Sequence, residues 1–136
     1  LRRVLVIDDE PAIRYTLTRV LEKAGFRVTT AEGGAVGLET LRASDFDVVI
    51  TDIMMPQMHG VDAISAIVRE FARIRIIAIS GGGNFGVTKY KPDALTTSAY
   101  LAAAKRAGAH ALLTKPFRTA ELLQTISDVS ETDSRH

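Results

Sequence analysis

The sequence predicts a doubly wound α/β domain, a five-stranded parallel sheet with helices on both faces. Four short apolar runs, VLVI at 4–7, VVIT at 48–51, IIAI at 76–79 and ALLT at 111–114, have the near-continuous hydrophobicity of strands buried on both sides. Stripes of helical period lie between them. Strict alternation of strand and helix then implies right-handed crossovers and helices on both faces of the sheet.

The elements can be justified in order. The first strand, 4–7, is followed by Pro11, suited to a first helical position, and by Ile13, Leu17, Val20, Leu21 and Ala24 at helical spacing. Gly25 supplies a stop. The alternation RVTT at 27–30 suits an edge strand. A helix over 35–41 is predicted more weakly, because Gly37 inside it costs about 1 kcal/mol relative to Ala. After 48–51 comes a stripe of Ile64, Ile67, Val68 and Phe71, and after 111–114 one of Leu122, Leu123, Ile126 and Val129.

Bulk properties exclude several classes. The 136 residues suit one domain with its own core. Seventeen Lys plus Arg against sixteen Asp plus Glu leave a net charge of +1, so no single-sign field points to nucleic acid or an anionic membrane. Cysteine is absent, which removes thiol chemistry and is compatible with a reducing compartment. No apolar run approaches the roughly 18 residues that would cross a bilayer, and the LRR start has no signal-type segment after it. A cytoplasmic domain is expected, and the start at Leu1 rather than Met leaves room for domains outside this sequence. The tail from Ser130 to His136 lacks an apolar pattern and is expected to be disordered beyond a domain of residues 1–129.

In open α/β sheets the functional crevice lies beyond the carboxyl ends of the strands. The residues there are Asp8 and Asp9, then Asp52, then Ser80 with Gly81, then Lys115 with Pro116. Three neighbouring carboxylates repel one another unless a cation shares the site. A hard divalent ion with oxygen ligands resolves this, and Mg2+ characteristically takes one or two carboxylates, waters and a phosphate oxygen. An Asp is also a competent nucleophile toward phosphorus. A phosphoryl group in transit is stabilised by a metal, an ammonium and hydroxyl or N–H donors, all available in this set.

Taken singly, each residue has an ordinary structural explanation. Asp8 and Asp9 suit the positive end of the helix near Pro11. Ser80 before three glycines suits a turn, Asp52 could cap the next turn, and Lys115 could be a solvated charge. It is their coincidence in one predicted crevice that argues for chemistry.

DDEP at 8–11, TDIMMPQMHG at 51–60, SG at 80–81 and KPF at 115–117 together resemble the signature of response-regulator receiver domains of two-component signalling. The resemblance runs from Val4 to about Val129. It implies the flavodoxin-like strand order 2-1-3-4-5 and a signalling switch that catalyses only its own phosphorylation and dephosphorylation. Asp52 would accept a phosphoryl group from a sensor histidine kinase or phosphotransfer protein. Asp9 would ligate Mg2+ directly, Asp8 mainly through water, Asp52 through its carboxylate and Met54 through its backbone carbonyl. Ser80 would donate its hydroxyl and Gly81 its N–H to phosphoryl oxygens, Lys115 would bridge the phosphoryl group and the acids, and the bond to Pro116 would be cis. The partners implied are that kinase, an unidentified output partner or output domain, and a second copy in a homodimer, with no direct nucleic-acid or membrane binding.

Two positions depart from the family pattern. Leu112 stands where the family commonly has an aromatic ring, three residues before the lysine, so the usual linkage of site to surface is in doubt. The stretch 81–97 is longer than a compact domain needs, and Phe85 or Tyr90 within it could form a lid. The competing class is a haloacid-dehalogenase-like phosphohydrolase, which also uses an Asp nucleophile with Mg2+. That family needs an acid two residues after the nucleophile, where this chain has Met54. His59, His110 and His136 show no ligand spacing for zinc.

Overall fold

The computed structural model describes residues 2–53, 60–80, 102–115 and 117–134. Along the chain lie β1 (Arg3–Ile7), α1 (Pro11–Lys23), β2 (Arg27–Ala31), α2 (Gly34–Ala43), β3 (Val48–Asp52), α3 (Gly60–Glu70) and β4 (Arg75–Ser80). A helical segment α4 over 102–107 follows, then β5 (Ala111–Thr114) and α5 (Thr119–Ser134). The five strands form one parallel sheet in the order β2-β1-β3-β4-β5, with β2 at an edge as its alternation predicts.

The continuous apolar runs are explained by two cores, one on each face. Leu5 and Ile7 of β1, Val49 of β3, and Ile76 and Ala78 of β4 face a core completed by Leu38 and Leu41 of α2, Ile64 and Ile67 of α3, and Ala104 of α4. Their strand neighbours Val4, Val6, Val48, Ile50, Ile77 and Ile79 face the other core, completed by Leu17 and Leu21 of α1 and Leu122, Ile126 and Val129 of α5. Successive strand side chains point to opposite faces, so a sheet covered on both sides needs apolar residues at every position.

Two elements exceed their sequence expectation. The helix expected weakly over 35–41 is formed, as α2, from Gly34 to Ala43. A Cβ at Gly37 would stand 2.5 Å from Cδ1 of Ile7, so the missing side chain lets α2 lie close on β1. Its propensity cost is the condition for that contact. At the other end of the chain, a helix runs past the apolar stripe that ends at Val129. α5 continues to Ser134, and Ser130 Oγ donates to the Ile126 carbonyl at 2.8 Å. An apolar stripe marks only the packed part of a helix, and polar residues can extend it.

Gly108 closes α4 at φ +121°, a left-handed conformation that favours glycine. A Cβ there would meet Val68 Cγ2 at 2.6 Å, which makes the α3–α4 approach dependent on this residue. Beyond the turn, His110 Nδ1 accepts the Ile76 N–H at 3.0 Å while the His110 N–H donates to the Ile76 carbonyl at 2.8 Å. This histidine therefore begins the β4–β5 ladder with its own side chain.

Candidate functional site

Parallel strands in register carry their carboxyl ends to one rim. β1 ends at Ile7, opposite Thr51 of β3, so Asp8 arrives beside Asp52. Asp52 is the last residue of β3, paired with Ile79, which places Ser80 one step further on the neighbouring strand. Ser80 pairs with Thr114 of β5, and its carbonyl accepts the Lys115 N–H at 2.8 Å, which continues the ladder and draws Lys115 into the same rim.

The side chains converge accordingly. Lys115 Nζ lies 3.5 Å from Asp52 Oδ2 and 3.6 Å from Asp8 Oδ2. All three are buried, at 7%, 5% and 2% exposure, in a region where ionised groups are seldom found unless paired. Asp9 is exposed and Glu10 half-buried beside them. One carboxylate oxygen each from Asp8, Asp9 and Glu10 falls within a 4.8 Å cluster, a geometry that would admit a cation.

Burial is the main reason that Asp8 is pushed up to about 7. The charge of Asp52 raises it further, whereas Lys115 and the Glu10 N–H, which donates to Asp8 Oδ1 at 2.9 Å, act in the opposite direction. The ammonium of Lys115 therefore does not offset the burial of Asp8, and a bound cation would favour the ionised carboxylate.

Ser80 is fully buried, and among the described residues its Oγ has no hydrogen-bond partner. A buried hydroxyl without a partner costs free energy, so its position at the end of β4 beside Asp52 suits a ligand oxygen. The donor set as a whole is oxygen-rich and hard, as Mg2+ requires, and so it fits that ion.

Of the expected site residues, Asp8, Asp9, Asp52, Ser80 and Lys115 are brought to one rim. Met54, Gly81 and Pro116 lie outside the described residues, as do Phe85, Tyr90 and the whole of 81–97. Leu112 is half-buried against the core containing Ala78 and Ala104. Sequence reasoning assigned no role to Glu10 or to Arg14, whose Nη1 donates to the Asp8 carbonyl at 2.8 Å. Glu10 was legible as a third consecutive acid; Arg14, one helical turn on, carried no signal of its own. A cleft of about 600 Å³ lined by Arg2, Phe46, Phe71, Arg73 and Arg75 lies at the opposite end of the sheet and contains none of these acids. The site is identified by its chemistry and not by volume.

The fold and the rim define a flavodoxin-like α/β domain with an acid crevice at the carboxyl ends of its strands. The chain belongs to the response regulator receiver domain family, whose model matches residues 4–127. It is 36% identical over 128 residues to the sensory/regulatory protein RpfC of Xanthomonas campestris pv. campestris, covering 94% of this chain but 16% of that protein. Protein PilH of Pseudomonas aeruginosa is 36% identical over 129 residues, covering 93% of this chain and 96% of PilH. The crystal structure of the response regulator TrrA from Thermotoga maritima, in complex with Mg2+ and BeF, superposes with a TM-score of 0.74 at 28% identity, covering 95% and 99% of the two chains. Among the described residues no helix is long and apolar enough to cross a membrane.

Proposed function

We propose that the chain is a phosphoacceptor switch whose Asp52 takes a phosphoryl group from a histidine of a sensor kinase or phosphotransfer protein. The observation that carries this reading is the pairing of two buried carboxylates, Asp52 and Asp8, on one ammonium beside the unpartnered Ser80 hydroxyl. Burying such an arrangement is costly, and its members are the parts that phosphoryl transfer uses.

In the proposed reaction a carboxylate oxygen of Asp52 attacks phosphorus. The new P–O bond forms as the P–N bond to the donor imidazole breaks, and the departing nitrogen takes up a proton. Lys115, already 3.5 Å from Asp52, follows the charge onto the phosphoryl oxygens, and Ser80 donates its hydroxyl to one of them. Asp8 and Asp9 would hold Mg2+, with Asp52 and the Met54 carbonyl completing the ligands, and Gly81 would add its N–H. Mg2+, when bound, supplies neutralisation of the acids and of the phosphoryl oxygens. Water attack at phosphorus later releases inorganic phosphate and restores the carboxylate.

A switch requires that the phosphoryl group interact differently with two states of the protein. Ser80 and Lys115 sit on adjacent strands, β4 and the end of β5, and a pull on both would be felt along that edge of the sheet. The output partner or domain, a homodimer and a cytoplasmic setting belong to the same proposal. Catalysis is limited to the domain's own phosphorylation and dephosphorylation.

Incubation with acetyl phosphate and Mg2+, followed by intact mass measurement, tests the assignment. The expected result is a gain of one phosphoryl mass in wild type, lost with chelator and in Asp52→Asn. Multiple turnover of a phosphomonoester would instead favour a phosphohydrolase.

A further inference from the structure

We propose that Arg14 is a positioning residue for the divalent cation, acting through the backbone between Asp8 and Asp9. The proposal rests on the function given above. Only Asp8, Asp9 and Glu10 connect the end of β1 to Pro11, the first residue of α1, and this short span carries the acid cluster.

Asp8 is held at almost every polar atom. Its N–H donates to the Ala31 carbonyl at 3.1 Å, its Oδ1 accepts the Glu10 N–H at 2.9 Å, and its Oδ2 faces Lys115 at 3.6 Å. The remaining atom, the backbone carbonyl oxygen, accepts from Arg14 Nη1 at 2.8 Å. That carbonyl and the Asp9 N–H share one planar peptide unit, so fixing the first sets the direction from which the Asp9 side chain departs. Asp9 is exposed, and its aim is inherited from the peptide before it.

Arg14 is itself anchored on α1, where its N–H donates to the Glu10 carbonyl at 3.1 Å and its carbonyl accepts Thr18 Oγ1 at 2.7 Å. The guanidinium therefore ties the acid loop to a rigid helix. An ionised donor at this distance makes a charge-assisted bond, stronger than one from a neutral group.

Arg14 also carries a positive charge, and this acts in the opposite direction. A cation near the acids repels Mg2+, so its removal by charge alone would tighten binding, although salt weakens that effect over about 10 Å. The sign of the change in affinity separates the two roles. Loss of a group that orients a metal ligand typically weakens binding about 10- to 100-fold.

The experiment is calorimetric titration of Mg2+ into wild type, Arg14→Gln and Arg14→Lys, with circular dichroism and melting in chelator to confirm folding. Positioning predicts binding about 10-fold weaker in Arg14→Gln. Arg14→Lys keeps the charge and one donor on a flexible stem, and is expected to fall between, about threefold weaker than wild type. Equal or tighter binding in Arg14→Gln overturns the proposal. If that variant fails to fold, unchanged binding in Arg14→Lys overturns it. Wild type that binds no Mg2+ would overturn the function proposed above, whereas wild-type binding matched by both variants would overturn the role of Arg14 alone.

Discussion

Two ion-paired groups in this molecule differ in the reverse of what their distances suggest. Arg42 of α2 and Glu70 of α3 meet through two hydrogen bonds, at 2.7 and 3.0 Å, yet their side chains are 55% and 40% exposed. Lys115 stands further from Asp8 and Asp52, at 3.6 and 3.5 Å, and all three are buried. Hydrogen bonding to its partner raises Arg42 and lowers Glu70, so the surface pair is mutually satisfied but screened by water. In the buried trio, burial first and the charge of Asp52 second push Asp8 up. Good pairing at the surface contributes little to stability, whereas burying ionised groups in the interior is a cost that folding must carry. Such a cost makes sense where a ligand removes it.

The largest expected effect follows from that cost. Without divalent ion at pH 8, Asp8→Asn stabilises the protein by up to about 4 kcal/mol in urea unfolding, by removing a charge that burial and Asp52 oppose. A loss of stability in this variant would break the contrast between the two groups.

The pH dependence is the next largest. Asp8 moves from 3.8 to about 7 on folding, so between these values the folded state binds the extra proton. Stability of the metal-free protein therefore falls as pH rises from about 4 to about 7, with a slope up to about 1.4 kcal/mol per pH unit from this group. Below about 4 both states are protonated and the contribution is complete; above about 7 it is lost. Millimolar Mg2+ should flatten the slope near neutral pH, because a bound cation favours the ionised carboxylate.

A smaller effect is expected at Ser80. Replacing its unpartnered buried hydroxyl in Ser80→Ala leaves stability unchanged or improves it by up to about 1 kcal/mol, while acceptance of phosphate from acetyl phosphate slows about 10-fold or more. Marked destabilisation would mean that the hydroxyl has a structural role. Smallest of all is Arg42→Ala, expected to leave the urea midpoint within experimental error despite losing the shortest ion pair described here.

The contrast also bears on what could be read from the amino acids alone. The strands and their order were legible, because a sheet covered on both faces needs runs such as VLVI and VVIT, and two faces then follow. Asp52, Asp8, Asp9, Ser80 and Lys115 were legible as residues at strand ends, since parallel register brings those ends together. Gly37 was misjudged because helix propensity is local, whereas its value lies in contact with Ile7, thirty residues earlier in the chain. The length of α5 beyond Val129 was hidden because no apolar stripe marks it. Arg14 was invisible as a site residue because it acts on a backbone carbonyl, for which side-chain patterns carry no signal. Energetic state was the least legible: that Ser80 lacks a partner and that Asp8 resists ionisation depend on burial.

The central claim is that Asp52 is the group that accepts phosphate. Borohydride reduces an acyl phosphate to an alcohol, so trapping after incubation with acetyl phosphate and Mg2+, followed by peptide sequencing, reads the site directly. Homoserine at position 52 is the predicted result; a label on Ser80 or on a histidine, with position 52 still aspartate, would contradict it.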